Sequence, residues 1–251
     1  MRLLETTDLT KNFFGLTALD RVNFHVDRGE VVGLIGPNGS GKTTLFNCAT
    51  GLLPASGGRI TLKGEDITNR KTHEIALRGV SRTFQIIRIF PRLTVMENML
   101  LAIQQHQGER ILASILRTPR VRRLERDARE RAAELLDFVG LTPLTDNPAA
   151  HLSYGQQKLL EFIMAVMPDP EIVLLDEPTA AVNPTMIERM MDHIIQLNKQ
   201  GHTFCIIEHN MDVVMALCHR VVVLNYGEKI AEGKPEEIRN DRAVIEAYFG
   251  G

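Results

Sequence analysis

One stretch near the start of the chain, Gly36-Pro37-Asn38-Gly39-Ser40-Gly41-Lys42-Thr43-Thr44, constrains its fold more than any other. It satisfies the phosphate-loop pattern G-x-x-x-x-G-K-[ST], with Gly36, Gly41, Lys42 and Thr43 at the fixed positions. The flanks agree with it. Glu30 to Ile35 reads as a short buried strand entering the loop, and Thr43 to Thr50 as a helix leaving it, stopped near Gly51. Glycines let backbone N–H groups turn inward around an anion without Cβ clashes. The helix N-terminus adds donors and the positive end of a dipole. Lys42 is placed to reach the β- and γ-phosphates of a nucleotide, and the Thr43 hydroxyl to ligate Mg²⁺.

With 251 residues, the chain is long enough for one large α/β domain or for a core with a subdomain. A net charge of −2 gives no global pull toward nucleic acid or anionic lipid. Cys48, Cys205 and Cys218 are dispersed without metal-ligand spacing and read as reduced, buried thiols of a cytosolic protein. The N-terminal segment lacks the apolar core of a signal peptide. No apolar run approaches the ~20 residues of a membrane helix, so a role at a membrane is expected to come through a partner.

Along the chain, Leu3 to Leu9 and Arg21 to Val26 read as strands, the second with the alternation of a half-buried antiparallel strand. Phe13 and Phe14 lie between them, where an aromatic ring could stack on a purine or simply plug a core. Further strands are expected at Arg59 to Leu62 and Val80 to Phe84, the latter ending at Gln85. From Ile86 to Met167 the texture changes to helical periodicity. Thr94 to Glu97 fits a capping box. Val121 to Val139 reads as a charged helix with Leu124, Ala128, Leu135 and Leu136 on one face, supported by Glu125–Arg129 and Asp127–Arg131 pairs. After it, Ile172 to Leu175 reads as a continuously apolar strand at the centre of a parallel sheet. Pro184 to Lys199 and Met211 to Cys218 are expected helices, and Thr203 to Ile207 and Arg220 to Asn225 expected strands.

Three features beyond the loop carry chemistry. Asp176 stands just past a buried strand, where a carboxylate can hold the Mg²⁺ that Thr43 also touches. Glu177 follows where the chain turns, so it can face an attacking water as general base or water orienter; the pair can also be a plain acidic turn. Leu152-Ser153-Tyr154-Gly155-Gln156 opens a helix, with Ser153 as N-cap and Gly155 permitting close backbone approach. This makes a second helix N-terminus suited to an anion, which suggests a composite site shared between two copies.

With the loop, Gln85 after a strand, Leu152 to Gln156, the Asp176-Glu177 strand end and His209 in this order, the chain resembles the ATP-binding subunits of ABC transporters over nearly its full length. The resemblance implies a phosphate-loop NTPase α/β core with a mostly parallel sheet and an antiparallel β subdomain (1–85 and 168–251), and an inserted helical subdomain (86–167). It implies ATP and Mg²⁺ as ligands, with Pro37, Asn38, Gly39, Ser40 and Thr44 completing the phosphate grip and Thr43, Gln85 and Asp176 around the metal. Phe13 matches the aromatic that stacks on adenine. Gln85 matches the glutamine that senses metal and attacking water and links to the membrane subunit. Ser153, Tyr154, Gly155 and Gln156 match the signature that acts on ATP bound to the opposite protomer. Glu177 matches the catalytic base, and His209 the histidine that holds the γ-phosphate; taken alone, His209 would read as an incidental strand-end histidine.

Asn183 stands where most members carry Asp, and Tyr154 where Gly is commoner. With the arginine-rich insertion between Gln104 and Gly140 and the ending Gly227 to Gly233, these resemble the larger ATPase subunit of branched-chain amino-acid importers. The implied partners are a second ATPase subunit, a sibling or an identical copy, two membrane permease subunits and, indirectly, a periplasmic or extracellular substrate-binding protein. The implied place is the cytoplasmic face of the inner membrane. Two alternatives are the ATPase of another ABC transporter, such as a lipopolysaccharide exporter, and a non-transport ABC ATPase. The chain lacks the long coiled coils or second cassette of the latter. A phosphate-loop kinase or GTPase would leave Leu152 to Gln157 without a purpose.

Overall fold

The computed structural model describes residues 1–103 and 119–249. Residues 104–118 of the arginine-rich insertion lie outside the described residues. The strands, in chain order, are β1 (Arg2–Phe13), β2 (Leu16–Asp27), β3 (Val31–Ile35), β4 (Gly57–Leu62), β5 (Glu65–Asp66), β6 (Val80–Arg82), β7 (Ile172–Asp176), β8 (Phe204–Ile207), β9 (Arg220–Asn225) and β10 (Glu228–Gly233). The described α-helices are α1 (Lys42–Ala49), α2 (Thr72–Leu77), α3 (Val95–Leu101), α4 (Pro119–Phe138), α5 (Tyr154–Val166), α6 (Pro184–Lys199), α7 (Met211–Leu217), α8 (Pro235–Arg239) and α9 (Arg242–Phe249). They form two compact units, 1–85 with 171–251, and 86–170.

The first unit holds two sheets. One has the order β10-β9-β3-β8-β7-β6, parallel from β9 to β6 with β10 antiparallel at its edge. The strands β3, β7 and β8 are buried along their whole length, as their unbroken apolar runs require when both faces of a parallel sheet are covered. The other sheet, β2-β1-β4-β5, is antiparallel. Leu4, Leu9 and Phe24 of this sheet belong to the same buried cluster as Leu45 and Phe46 of α1 and Val32 and Leu34 of β3. Strands β1 and β2 run further toward each other than the alternation in the sequence indicates. Register shifts in their ladder, with Asp8 and Arg21 at φ of 48° and 45°, interrupt the period-2 pattern without ending the strands.

The second unit is built on α3, α4 and α5. The expected capping box is present: Thr94 Oγ1 accepts from Glu97 N–H at 3.1 Å, and Glu97 Oε2 from Thr94 N–H at 2.7 Å. The charged helix differs from expectation. Its buried positions are Ala132 and Leu136, whereas Leu124 is half exposed. Asp127 faces Arg123 and Arg126, and Arg126 also meets Glu130. Arg131 turns away to Asp169 and to the Met167 carbonyl, so the Asp127–Arg131 pair is not made. A tertiary carbonyl acceptor offers Arg131 more than an exposed pair one turn away. Among the described residues, no helix is long and apolar enough to cross a membrane.

Candidate active site

Parallel strands leave their ligand site outside their carboxyl ends. Here β3 ends into Gly36, β7 into Asp176 and Glu177, and β8 into Glu208 and His209. Strand β6 leads to Gln85. The phosphate loop is tightly specified: a Cβ on Gly36 would lie 2.0 Å from the Leu224 carbonyl oxygen and 2.7 Å from Ser40 Oγ. Gly41, at φ 104°, closes on the Ala18 carbonyl in the same way. Lys42 opens α1, and its ammonium folds back on the loop, donating to the Gly36 and Pro37 carbonyls at 2.8 Å each and to Ser40 Oγ at 3.4 Å. Burial pulls the Lys42 pKa down; the nearby charges of Glu177 and Asp176 oppose that fall. These carboxylates and the loop lysine therefore feel one another across the site.

Glu177 is the meeting point of the catalytic candidates. Its Oε1 lies 3.0 Å from His209 Nε2, and Gln85 Nε2 donates to its Oε2 at 3.4 Å. Its backbone sits in the left-handed region at φ 51°, which costs on the order of 1 kcal/mol for a residue with a Cβ. The Glu177 N–H donates to the Ile207 carbonyl at 2.9 Å, so the turn begins while the chain is still tied to β8. Two residues 124 positions apart in sequence, Gln85 and His209, thus converge on the Glu177 carboxylate.

Asp176 is placed differently. Its Oδ2 is held by Arg82 Nη2 at 2.8 Å, with the two side chains 3% and 6% exposed respectively. Arg82 Nη1 donates to Asn47 Oδ1 of α1 at 2.7 Å, and the guanidinium lies over the rings of Phe46 and Phe84. Nothing in the periodicity singled out Arg82; a charged residue at a buried strand end was the available signal. The Thr43 hydroxyl, Gln85 amide oxygen and Asp176 carboxylate expected at a metal would all be hard oxygen donors, and one carboxylate with nucleotide phosphates would suit Mg²⁺. Among the described residues no cluster of three or more His, Cys, Asp or Glu side chains forms a metal cage.

Phe13 ends β1 half buried, with the Lys11 ammonium 4.8 Å from its ring centre, while Phe14 at the hairpin tip is fully exposed at φ 44°. In the second unit Ser153 caps α5: its Oγ accepts from Gln156 N–H at 3.3 Å, and Gln156 Oε1 accepts from Ser153 N–H at 2.8 Å. Gln156 therefore serves its own helix, and Tyr154 beside it is 45% exposed. Asn183 caps α6, its Oδ1 accepting from Met186 N–H at 2.9 Å. Glu208, passed over in the sequence, is 4% exposed and fully engaged by backbone and hydroxyl donors.

A glycine loop at the end of a central parallel strand, an acidic pair at the end of the strand two places along the same sheet and a histidine against the second acid define a phosphate-loop ATPase cassette. The ABC transporter family model matches residues 19–180, and a model for the branched-chain amino acid ATP-binding cassette transporter matches residues 228–251. BraF of Pseudomonas aeruginosa, a high-affinity branched-chain amino acid transport ATP-binding protein, is 44% identical over 99% of this chain and 98% of its own length. LivG of Escherichia coli K12, of the same description, is 41% identical over 99% and 98%. A crystal structure of a nucleotide-free ATP-binding cassette from an ABC transporter superposes with a TM-score of 0.86 at 38% identity, and one in an ADP conformation with 0.87 at 37%; each comparison covers both chains fully. The chain belongs to the ATP-binding cassettes of ABC transporters, in the branched-chain amino-acid group, and ATP hydrolysis is the activity of that class.

Proposed function

We propose that this chain is the ATP-hydrolysing subunit that powers a branched-chain amino-acid importer from the cytoplasmic face of the membrane. The observation that carries the chemical part is the convergence of Gln85 and His209 on the two oxygens of Glu177. The cargo rests on the relatives' descriptions and the match of residues 228–251.

In this reading ATP lies on the backbone donors of residues 36 to 44, with Phe13 against the adenine. Lys42 exchanges its loop carbonyls for the β- and γ-phosphates, a swap favoured because an anion meets a partly desolvated ammonium better than a neutral carbonyl does. Mg²⁺, when held by Thr43, Gln85 and Asp176, supplies charge neutralisation at the phosphates. Glu177 orients or deprotonates the attacking water, and His209 holds the γ-phosphate while fixing the carboxylate from the other side. Ser153 and Gly155 of a second ATPase subunit, a sibling or an identical copy, complete the grip. Their helix end, already capped by its own side chain, still offers N–H groups to an anion. Closure of two such subunits moves two permease subunits docked near Gln85, and a substrate-binding protein delivers cargo on the far side. Loss of phosphate removes the contacts that held the pair shut.

The test is Glu177→Gln. The variant should bind ATP, hydrolyse it at least about 100-fold more slowly and accumulate a closed dimer on a sizing column. Turnover equal to the unaltered chain would remove Glu177 from this role. Purification of tagged chain from membranes, with permeases and an amino-acid-binding protein identified alongside, tests the cargo.

A further inference from the structure

Strands β7 and β8 leave the parallel sheet at the same level: Asp176 is the register partner of Ile207. The next residues are therefore Glu177 on one strand and Glu208 on the other. The Glu208 side chain does not join the polar site. It is buried, and each of its oxygens receives donors from a different turn. Oε1 accepts the Thr179 N–H at 3.0 Å and the Thr179 hydroxyl at 2.6 Å. Oε2 accepts the His209 N–H at 3.1 Å, with the Asn210 N–H at 3.5 Å. Thr179 lies two residues beyond Glu177, and its side chain is buried as well.

We propose that Glu208 is a positioning residue for hydrolysis, gripping the turn after Glu177 and the turn through His209 with one carboxylate. The inference rests on the roles proposed above for Glu177 and His209. Glu177 holds a left-handed backbone that a side-chain-bearing residue resists, so the turn must be pinned from outside. Glu208 pins it through Thr179 and pins the backbone of His209 through the other oxygen. The loop of contacts closes where His209 Nε2 meets Glu177 Oε1 at 3.0 Å. A carboxylate is required because both ends of the side chain must accept. A glutamine in its place would turn its NH₂ toward either the Thr179 or the His209 N–H. Ionised acceptors also make the stronger bonds to buried N–H groups.

The experiment compares Glu208→Gln, Thr179→Val and Thr179→Ser in the full chain, with Glu177→Gln alongside. Glu208→Gln should lower kcat for ATP hydrolysis about 10- to 100-fold, the size of effect that outer-shell partners have on the metal ligands they orient. KM and equilibrium binding of a fluorescent ATP analogue should stay within about twofold, because residues 36 to 44 are untouched. Thr179→Val should lose kcat in the same sense, and Thr179→Ser should recover most of that loss. The side-chain ¹⁵N signal of His209 should move in Glu208→Gln in the direction it moves in Glu177→Gln. An unmoved His209 signal, or an unchanged kcat, overturns the proposal. So does a parallel loss of nucleotide binding, which would make Glu208 a general support of the fold. Full turnover in Glu177→Gln would instead sink the catalytic reading, while the His209 signal would still decide whether Glu208 sets that geometry.

Discussion

Replacing Arg82 by methionine removes a guanidinium whose side chain is 6% exposed and leaves Asp176, 3% exposed, without the cation bonded to it, with Lys42 acting on it from further off. The methionine stem fills part of the space between the Phe46 and Phe84 rings, so the loss is mainly electrostatic. Breaking a buried pair from one side costs about 3–5 kcal/mol, since the remaining charge stays desolvated. The Asn47 amide, which accepts from Arg82 Nη1 at 2.7 Å, loses its donor too. For a chain of this size each kcal/mol moves the melting temperature by about 2–4 °C, so a fall of about 6–20 °C is expected. Thermal unfolding of the nucleotide-free chain, followed by circular dichroism, measures it. Adding Asp176→Asn to Arg82→Met neutralises the stranded charge, and the double variant should be no less stable than Arg82→Met alone. A loss below about 1 kcal/mol, the value of an exposed ion pair, would refute the reasoning, because it would mean water reaches Asp176 in solution.

The Asn183 cap and the three buried thiols can be tested in the same chain. Asn183→Ala should cost about 1 kcal/mol of stability through the lost cap on Met186 N–H, whereas Asn183→Asp should stay within about 0.5 kcal/mol; equal losses on urea unfolding would show that the side chain does something other than capping. Burial pushes the Cys48 thiol up to about 11 and the Cys218 thiol to about 12, and Cys205, fully buried, is raised as well. The folded chain should therefore show no fast-reacting thiol toward a disulfide reagent at pH 8 until denaturant is added. Because the folded state keeps its thiol protons where unfolded thiols, near 9.0, have lost them, stability should fall as pH rises from about 9 toward 11; a rise in that window on chemical unfolding would contradict the burial.

The elements nearest the phosphate loop were legible because their signals are local. The strand Val31–Ile35 is a five-residue apolar run, and Gly36 follows it where any Cβ would strike the Leu224 carbonyl. The capping box at Thr94 and the N-cap at Ser153 are likewise written within a few residues, whereas the reciprocal bond from Ser153 N–H to Gln156 came only with the structure. The helix from Pro119 was legible as a helix but not in its partners. Arg131 has both Asp127 four residues back and Asp169 across the unit, and only packing selects the second. Arg82 and Glu208 were missed for the same reason. A charge inside an apolar stretch does not announce whether it faces water or a distant partner.

What the order of residues determined by itself is the chemistry that must be served: a glycine loop that only a strand-to-helix junction can use, a lysine and a threonine at its end, and acids and a histidine at the ends of runs that bury on both faces. What the tertiary structure alone decided is which of these groups touch. Asp176 spends one oxygen on Arg82, Glu177 is shared between Gln85 and His209, and Glu208 ties two turns together. The physical reason is range. Backbone propensity and amphipathic period act over a few residues, whereas these contacts join strands that are neighbours only because the parallel sheet places their carboxyl ends side by side.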